Sequence, residues 1–227
     1  AFERRIAAML FFSLFPDGGE FADLSAGLAA LRQDPTVREM RQVIDVAFSA
    51  AHRTTQPIGE LVPTLADVPL FLHASYSREE ILAALGWATE ARSPSTMREG
   101  VAWCPDVSAD AFLITLKKTD TDYSPTTMYR DYALSERLFH WESQSTTSSA
   151  SPTGQRYIHH RERGSHILLF VRESKTGAFG PSPYIFLGPA DYVSHEGDRP
   201  MAITWRLRRP MPTEFGFSTG AYVPPSK

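Results

Sequence analysis

The chain holds 227 residues, 42% of them hydrophobic, with 23 basic against 26 acidic side chains and a formal charge of -3. That balance excludes a protein that coats nucleic acid with its whole surface, and there is no run of about 18 uncharged apolar residues to span a bilayer. The single cysteine, Cys104, rules out an internal disulfide framework and a cysteine-based zinc site, and it fits a reducing, cytoplasmic setting.

The first part of the chain predicts helices. It opens Ala1-Phe-Glu-Arg-Arg5 inside a helical pattern and without an initiator Met, which suggests a piece of a longer polypeptide. The apolar stretch from Ile6 to Phe15 is too short to cross a membrane and lacks the small-residue cleavage pattern of a secretory signal. A helix over Phe2 to Phe15 is stopped by the turn residues Pro16-Asp-Gly-Gly19. Phe21, Leu24, Leu28 and Leu31 recur at helical spacing, as do Val37, Met40, Ile44 and Phe48. After a loop carrying Pro57, Pro63 and Pro69, Ser77-Arg-Glu-Glu80 has the form of a capping box ahead of Ile81, Leu82 and Leu85. Gly86 ends that short helix. No catalytic constellation lies in this region, and its nine basic against thirteen acidic residues up to position 100 make it a poor surface for DNA.

From Gly100 the pattern turns to strands. Val101 to Cys104, Ala111 to Lys117, Arg137 to Ser143, Ser165 to Arg172, Pro183 to Leu187 and Met201 to Arg208 are short runs rich in β-branched and aromatic residues, bounded by Gly, Pro, Ser and Asp. The fold class expected is α+β: a helical connecting region over 1–99, then a curved β barrel over 100–227. Ser143 to Ser151, closed by Pro152-Thr-Gly154, reads as a long exposed loop. Two local basic segments stand out, Arg156-Tyr-Ile-His-His-Arg-Glu-Arg163 and the run containing Arg199, Arg206, Arg208 and Arg209.

Catalytic chemistry finds little support. His159 and His160 are adjacent, so on a strand they point to opposite faces and cannot both reach one metal ion. A nuclease would show clustered carboxylates with a lysine, and Asp120, Asp122 and Asp131 lack a convincing partner; no GxxxxGK[ST] phosphate loop is present, and Cys104 in a strand reads as packing. An enzyme acting on a base would have only His140, Glu142 and His159 to call on. The aromatics are more suggestive. Tyr129 and Tyr132 flank Asp131, and Trp141 follows on a strand that runs into the polar loop. Such a set can stack on a base while a carboxylate accepts from an exocyclic amine. The same residues would equally serve as barrel core, with Asp131 capping a turn.

Several collinear segments resemble one family. Phe112-Leu-Ile-Thr-Leu-Lys-Lys118, Tyr123-Ser-Pro-Thr-Thr-Met-Tyr-Arg-Asp-Tyr132, Leu138-Phe-His-Trp-Glu-Ser-Gln-Ser145, Leu169-Phe-Val-Arg-Glu173, Tyr184-Ile-Phe-Leu-Gly-Pro-Ala190 and Met201-Ala-Ile-Thr-Trp205 are similar to the domain of unknown function called DUF3427. The stretch Val68 to Leu82 resembles the region that precedes it. In that family the domain closes superfamily II DNA helicases, often behind a phospholipase D-like nuclease, and some members are modification-dependent restriction enzymes. The resemblance implies a curved barrel similar to SRA or PUA-like domains. It implies a cytoplasmic DNA-reading module that binds duplex DNA carrying a methylated or hydroxymethylated cytosine. The parent protein would be an ATP-dependent DNA endonuclease. This chain has neither helicase motifs nor an HxKxxxxD nuclease signature, so the resemblance carries over neither ATP hydrolysis nor cleavage.

On that resemblance Tyr129, Tyr132 and Trp141 form stacking walls, Asp131 reads the base edge, and Ser143, Gln144 and Ser145 supply a hydrogen-bonding loop. Arg156, Arg161, Arg163, Arg206 and Arg208 hold phosphates, which sets register without reading sequence. The expected partners are modified double-stranded DNA and the helicase and nuclease domains of the parent polypeptide, with no membrane. No cofactor, metal or catalytic residue is expected. Two other readings stay open: a protein-interaction module that clamps helicase or nuclease domains, and a reader of phosphorothioate DNA. Phe139 and Trp141 share one strand face, so burial of the first would draw the second inward.

Overall fold

The computed structural model describes residues 1–32, 39, 56–116, 131–177 and 180–212. Apart from Glu39, the helix expected around Val37 to Phe48 lies outside the described residues, as do Lys117, Asp120, Asp122 and Tyr129. Helix α1 spans Phe2–Leu14 and α2 spans Leu24–Leu31, the latter opened by Asp23, whose side chain accepts from the Ala26 amide at 2.7 Å. These two helices meet closely because Gly27 presents no side chain to the ring of Phe11. Next come a single turn, α3 (Ile58–Leu61), and α4 (Arg78–Ala84).

The capping box at α4 forms as the sequence predicts. Ser77 Oγ accepts from the Glu80 amide at 3.1 Å, and the Glu80 carboxylate accepts from the Ser77 amide at 2.7 Å. Two of the amide donors that a helix start leaves orphaned are thereby satisfied. Gly86 follows the helix at φ +74, a left-handed position that glycine takes at no steric cost.

Strands β1 (Ser75–Tyr76), β2 (Val101–Cys104), β3 (Ala109–Thr115), β4 (Tyr132–Ala133), β5 (Leu138–Glu142), β6 (His166–Arg172), β9 (Tyr184–Glu196) and β10 (Ala202–Leu207) form one mixed sheet. Its order is β2-β3-β6-β9-β10-β5-β4, with β1 pairing the start of β9. A separate short hairpin pairs β7 (Thr176–Gly177) with β8 (Gly180–Pro181). The β3–β6 pair is parallel, whereas the other pairings are antiparallel.

Two buried clusters line the two faces of the sheet. Ala111 and Leu113 of β3, Leu168 and Phe170 of β6, and Tyr184 and Phe186 of β9 pack with α1, α3 and α4. On the other side Phe112, Ile167, Leu169, Phe139, Trp141, Ile203, Trp205 and Leu207 pack together. Alternation along each central strand thus feeds both clusters, which is why β3 reads as a nearly continuous apolar run, broken at Asp110 and closed by Thr115. The core crosses residue 100, since Ala102, Cys104 and Leu113 share one cluster with Phe11, Leu82 and Leu85.

Three expectations are corrected. The sheet curls but does not close into a barrel: β2 and β4 are its two edges and do not pair. The expected strand over Pro183 to Leu187 is the first half of the thirteen-residue β9. It continues through Gly188-Pro189 because Gly188 sits at φ +102, beside a shift in the pairing with β6 between Leu169 and Phe170. Ser143 to Ser151 is a loop as expected, but Ser143, Thr147 and Ser148 in it are buried. Its closing segment Pro152-Thr-Gly154 starts helix α5 (Pro152–Ile158), after which His159 and His160 lie in a turn rather than on a strand. Ser151 caps it, accepting from the Gly154 amide at 3.1 Å, and Pro152 at the first turn gives up no bond because that amide would be orphaned anyway.

Candidate functional site

Where the sheet fails to close, a cavity of about 820 Å³ opens. Gly100 and Val101 border it from the β2 edge, Asp131, Trp141 and Glu142 from the β4–β5 edge. A pocket of this size is large enough for a nucleotide.

Trp141 is only 6% exposed and forms the floor. Its ring lies 4.5 Å from Phe112 and 5.8 Å from Tyr157, so the fold rather than a ligand holds it in place. Asp131 stands at the rim, and its carboxylate accepts from the Glu142 amide at 3.0 Å, which fixes the side chain beside Trp141. Gln144 also lines the cavity and donates to Glu99 at 3.4 Å. These three of the predicted base-binding residues come together.

The others have different places. Tyr132 is half-buried and stacks on its cross-strand partner His140, with ring centroids 4.7 Å apart. Ser143 is fully buried: its hydroxyl accepts from the Met201 amide at 2.9 Å and donates to the Gln144 carbonyl at 3.1 Å. It ties β5 to the entry of β10. Ser145 is exposed beyond the strand end.

The predicted phosphate-binding arginines divide into two groups. Arg156 makes a two-point ion pair with the fully buried Asp110, at 2.7 and 2.9 Å, and its guanidinium lies 4.6 Å from the Trp103 ring. The bond to Asp110 raises the Arg156 pKa above the usual arginine value. Arg208 pairs with Asp191 at 3.0 and 3.3 Å. Arg161, Arg163 and Arg206 are exposed, and no ion pair holds them among the described residues.

The histidines are engaged locally. His159 Nδ1 lies 3.0 Å from the Glu162 carboxylate. His160 is buried, with Nδ1 3.3 Å from the Ser165 carbonyl and Nε2 accepting from the Tyr192 amide at 3.2 Å. That pattern assigns the proton to Nδ1. Burial pushes the Cys104 thiol up to about 12, with the Asp110 carboxylate adding to it, and the sulfur donates to the Ala102 carbonyl at 3.6 Å. A thiol so placed is a poor nucleophile. Among the described residues no three His, Cys, Asp or Glu side chains gather in a metal-binding group.

Sequence reasoning missed the basic wall of the cavity. Arg172 ends β6, Lys175 lies in the following turn, and Tyr184 begins β9. Arg78 lines the cavity too, but is taken up by Glu79 at 3.1 Å. The only signal for Arg172 was its position at a strand end, inside the segment Leu169 to Glu173 singled out above.

No helix among the described residues is long and apolar enough to cross a membrane. No curated protein matches the chain. The profile of a family described as "Domain of unknown function (DUF3427)" matches residues 70–215, from the strap before α4 to just beyond β10, which is more than half of the 227 residues. The chain therefore belongs to the DUF3427 family.

Proposed function

We propose that the chain is the non-catalytic DNA-recognition module of a modification-dependent restriction helicase or nuclease, and that it takes a methylated or hydroxymethylated cytosine into the open seam of its sheet. The observation that carries this reading is the cavity with Trp141 as its floor and the Asp131 carboxylate fixed beside it. An aromatic face gives a flipped base somewhere to lie, and a carboxylate accepts from the exocyclic amine of cytosine. Arg161, Arg163 and Arg206, exposed and unpaired among the described residues, supply phosphate contacts from outside the cavity. In this reading Arg156, Arg208 and Ser143 serve the fold.

Titration of labelled duplexes with and without one 5-methylcytosine tests it. Tighter binding of the modified duplex, lost in Asp131→Asn, is the expected result. Asparagine can still accept from the Glu142 amide, so the rim geometry is kept. Equal, weak and salt-sensitive binding of both duplexes would sink the reading.

A second reading has its own observation. Phe2, Ile6, Leu10 and Leu14 recur every fourth residue of α1 and are all exposed, forming one apolar stripe. This favours the protein-interaction reading for the helical region, with the parent's helicase or nuclease domains as partners. Replacing Ile6 and Leu14 by Glu should abolish such an association while leaving DNA binding intact.

A further inference from the structure

The lining of the same cavity carries a cation that the fold positions but does not neutralise. Arg172 is half-buried at the end of β6. Its Nε donates to Thr115 Oγ1 at 3.0 Å, its Nη1 donates to the Ser182 carbonyl at 3.2 Å, and its guanidinium lies 4.3 Å from the Tyr184 ring. All three partners are uncharged, and among the described residues no carboxylate pairs with it. A guanidinium has five N–H donors, so the two bonds made leave three unspent, on a group that also lines the cavity.

This differs from the treatment of two other half-buried arginines. Arg156 and Arg208 each meet a carboxylate through two nitrogens. Arg172 is instead held at fixed orientation by a hydroxyl, a carbonyl and an aromatic face, which is the arrangement of a guanidinium kept ready for an incoming planar or tetrahedral oxyanion. The β4–β5 edge of the same cavity carries the carboxylates Asp131 and Glu142 beside the Trp141 indole. The cavity lining thus includes a guanidinium, carboxylates and an indole. A ligand complementary to this arrangement has an amine-bearing apolar ring at one end and an oxyanion at the other.

We infer that Arg172 is a phosphate-binding residue inside the cavity, taking the phosphate of the nucleotide whose base lies against Trp141. This rests on the reading of the cavity as a base pocket. It adds a cavity-lining phosphate contact to those of Arg161, Arg163 and Arg206 outside.

The test compares 5-methyl-2'-deoxycytidine 5'-monophosphate with the corresponding nucleoside and with inorganic phosphate, by NMR shift titration of the full chain. The monophosphate should bind about tenfold or more tighter than the nucleoside, as expected for a charge-assisted contact. Arg172→Gln should erase that difference, and Arg172→Lys should restore part of it. Equal binding of monophosphate and nucleoside to the wild-type chain overturns the inference. So does a phosphate-dependent difference that survives in a folded Arg172→Gln variant. Should that variant fail to fold, the wild-type comparison decides by itself. Inorganic phosphate that binds as tightly as the monophosphate overturns the nucleotide assignment. If the unmethylated monophosphate binds as well as the methylated one, with phosphate dependence intact, the modified-base reading fails while Arg172 keeps its role.

Discussion

Phe112 and Trp141 meet with ring centroids 4.5 Å apart, although β6, β9 and β10 separate their strands in the sheet. Only a strongly curled sheet brings them together. The contact joins Trp141, which lines the cavity, to the core, so the floor of the cavity and the core are one object. Trp141→Ala should cost about 3–5 kcal/mol of stability, which makes it a poor probe of binding. A double-mutant cycle of Phe112→Leu with Trp141→Phe should return a coupling of about 0.5–1.5 kcal/mol in urea unfolding. Additive effects would mean that the rings do not meet in solution.

Asp110 and Arg156 form a second cross-link, between β3 and α5. Because Asp110 is fully buried, Arg156→Ala strands its carboxylate and should cost about 3–5 kcal/mol. Replacing both, as Asp110→Leu with Arg156→Met, should recover most of that loss. Neither change should alter the phosphate dependence of ligand binding in the cavity, since Arg156 points its charge at Asp110. Denaturant midpoints and the nucleotide titration together check both halves.

Stability should fall on mild acidification. Burial lowers the pKa of His160 below its ordinary 6.5, and also lowers those of His73, His140 and His166. In the unfolded chain these imidazoles take up protons near pH 6.5, before the folded protein does. Their contribution is complete above that pH and is lost as the pH falls toward the folded values. Each adds a slope of up to about 1.4 kcal/mol per pH unit in that window. His160→Gln should flatten the curve below pH 6.5, measured by urea unfolding, because His160 accepts from the Tyr192 amide only when neutral at Nε2. A curve of unchanged slope would show that His160 protonates alike in both states.

Arg206 lies on the outward face of β10, between Trp205 and Leu207, which point into the core. Arg206→Ala should weaken modified and unmodified duplexes alike. It should also lower the slope of log affinity against log salt by about 0.9, the share of one phosphate contact. A change in the preference for methylated DNA would instead place Arg206 at the base. No change in either quantity would remove this face of β10 from the DNA surface.

Local chemistry was readable. The capping box at Ser77, the helical spacing of Leu24 and Leu28 and the alternation in Leu138 to Glu142 are each decided within a few residues, and the structure has all three. Helix α5 was hidden by the Ser and Thr around it, although Ser151-Pro152 is itself a start signal. The second half of β9 was hidden because Gly188-Pro189 looks like a turn and is a bulge.

By itself the sequence determined an α+β chain, its principal strands, and an indole near the end of β5; that Asp131 is fixed beside it came from the fold. Whether the sheet would close was decided only in three dimensions, since closure depends on register and twist summed over every strand between β2 and β4. So was the fate of each arginine. Arg156 and Arg208 met carboxylates from distant strands, while Arg172 met only neutral groups and kept donors for the cavity. Charge on a side chain is a local property, but whether that charge is spent depends on what the fold brings next to it.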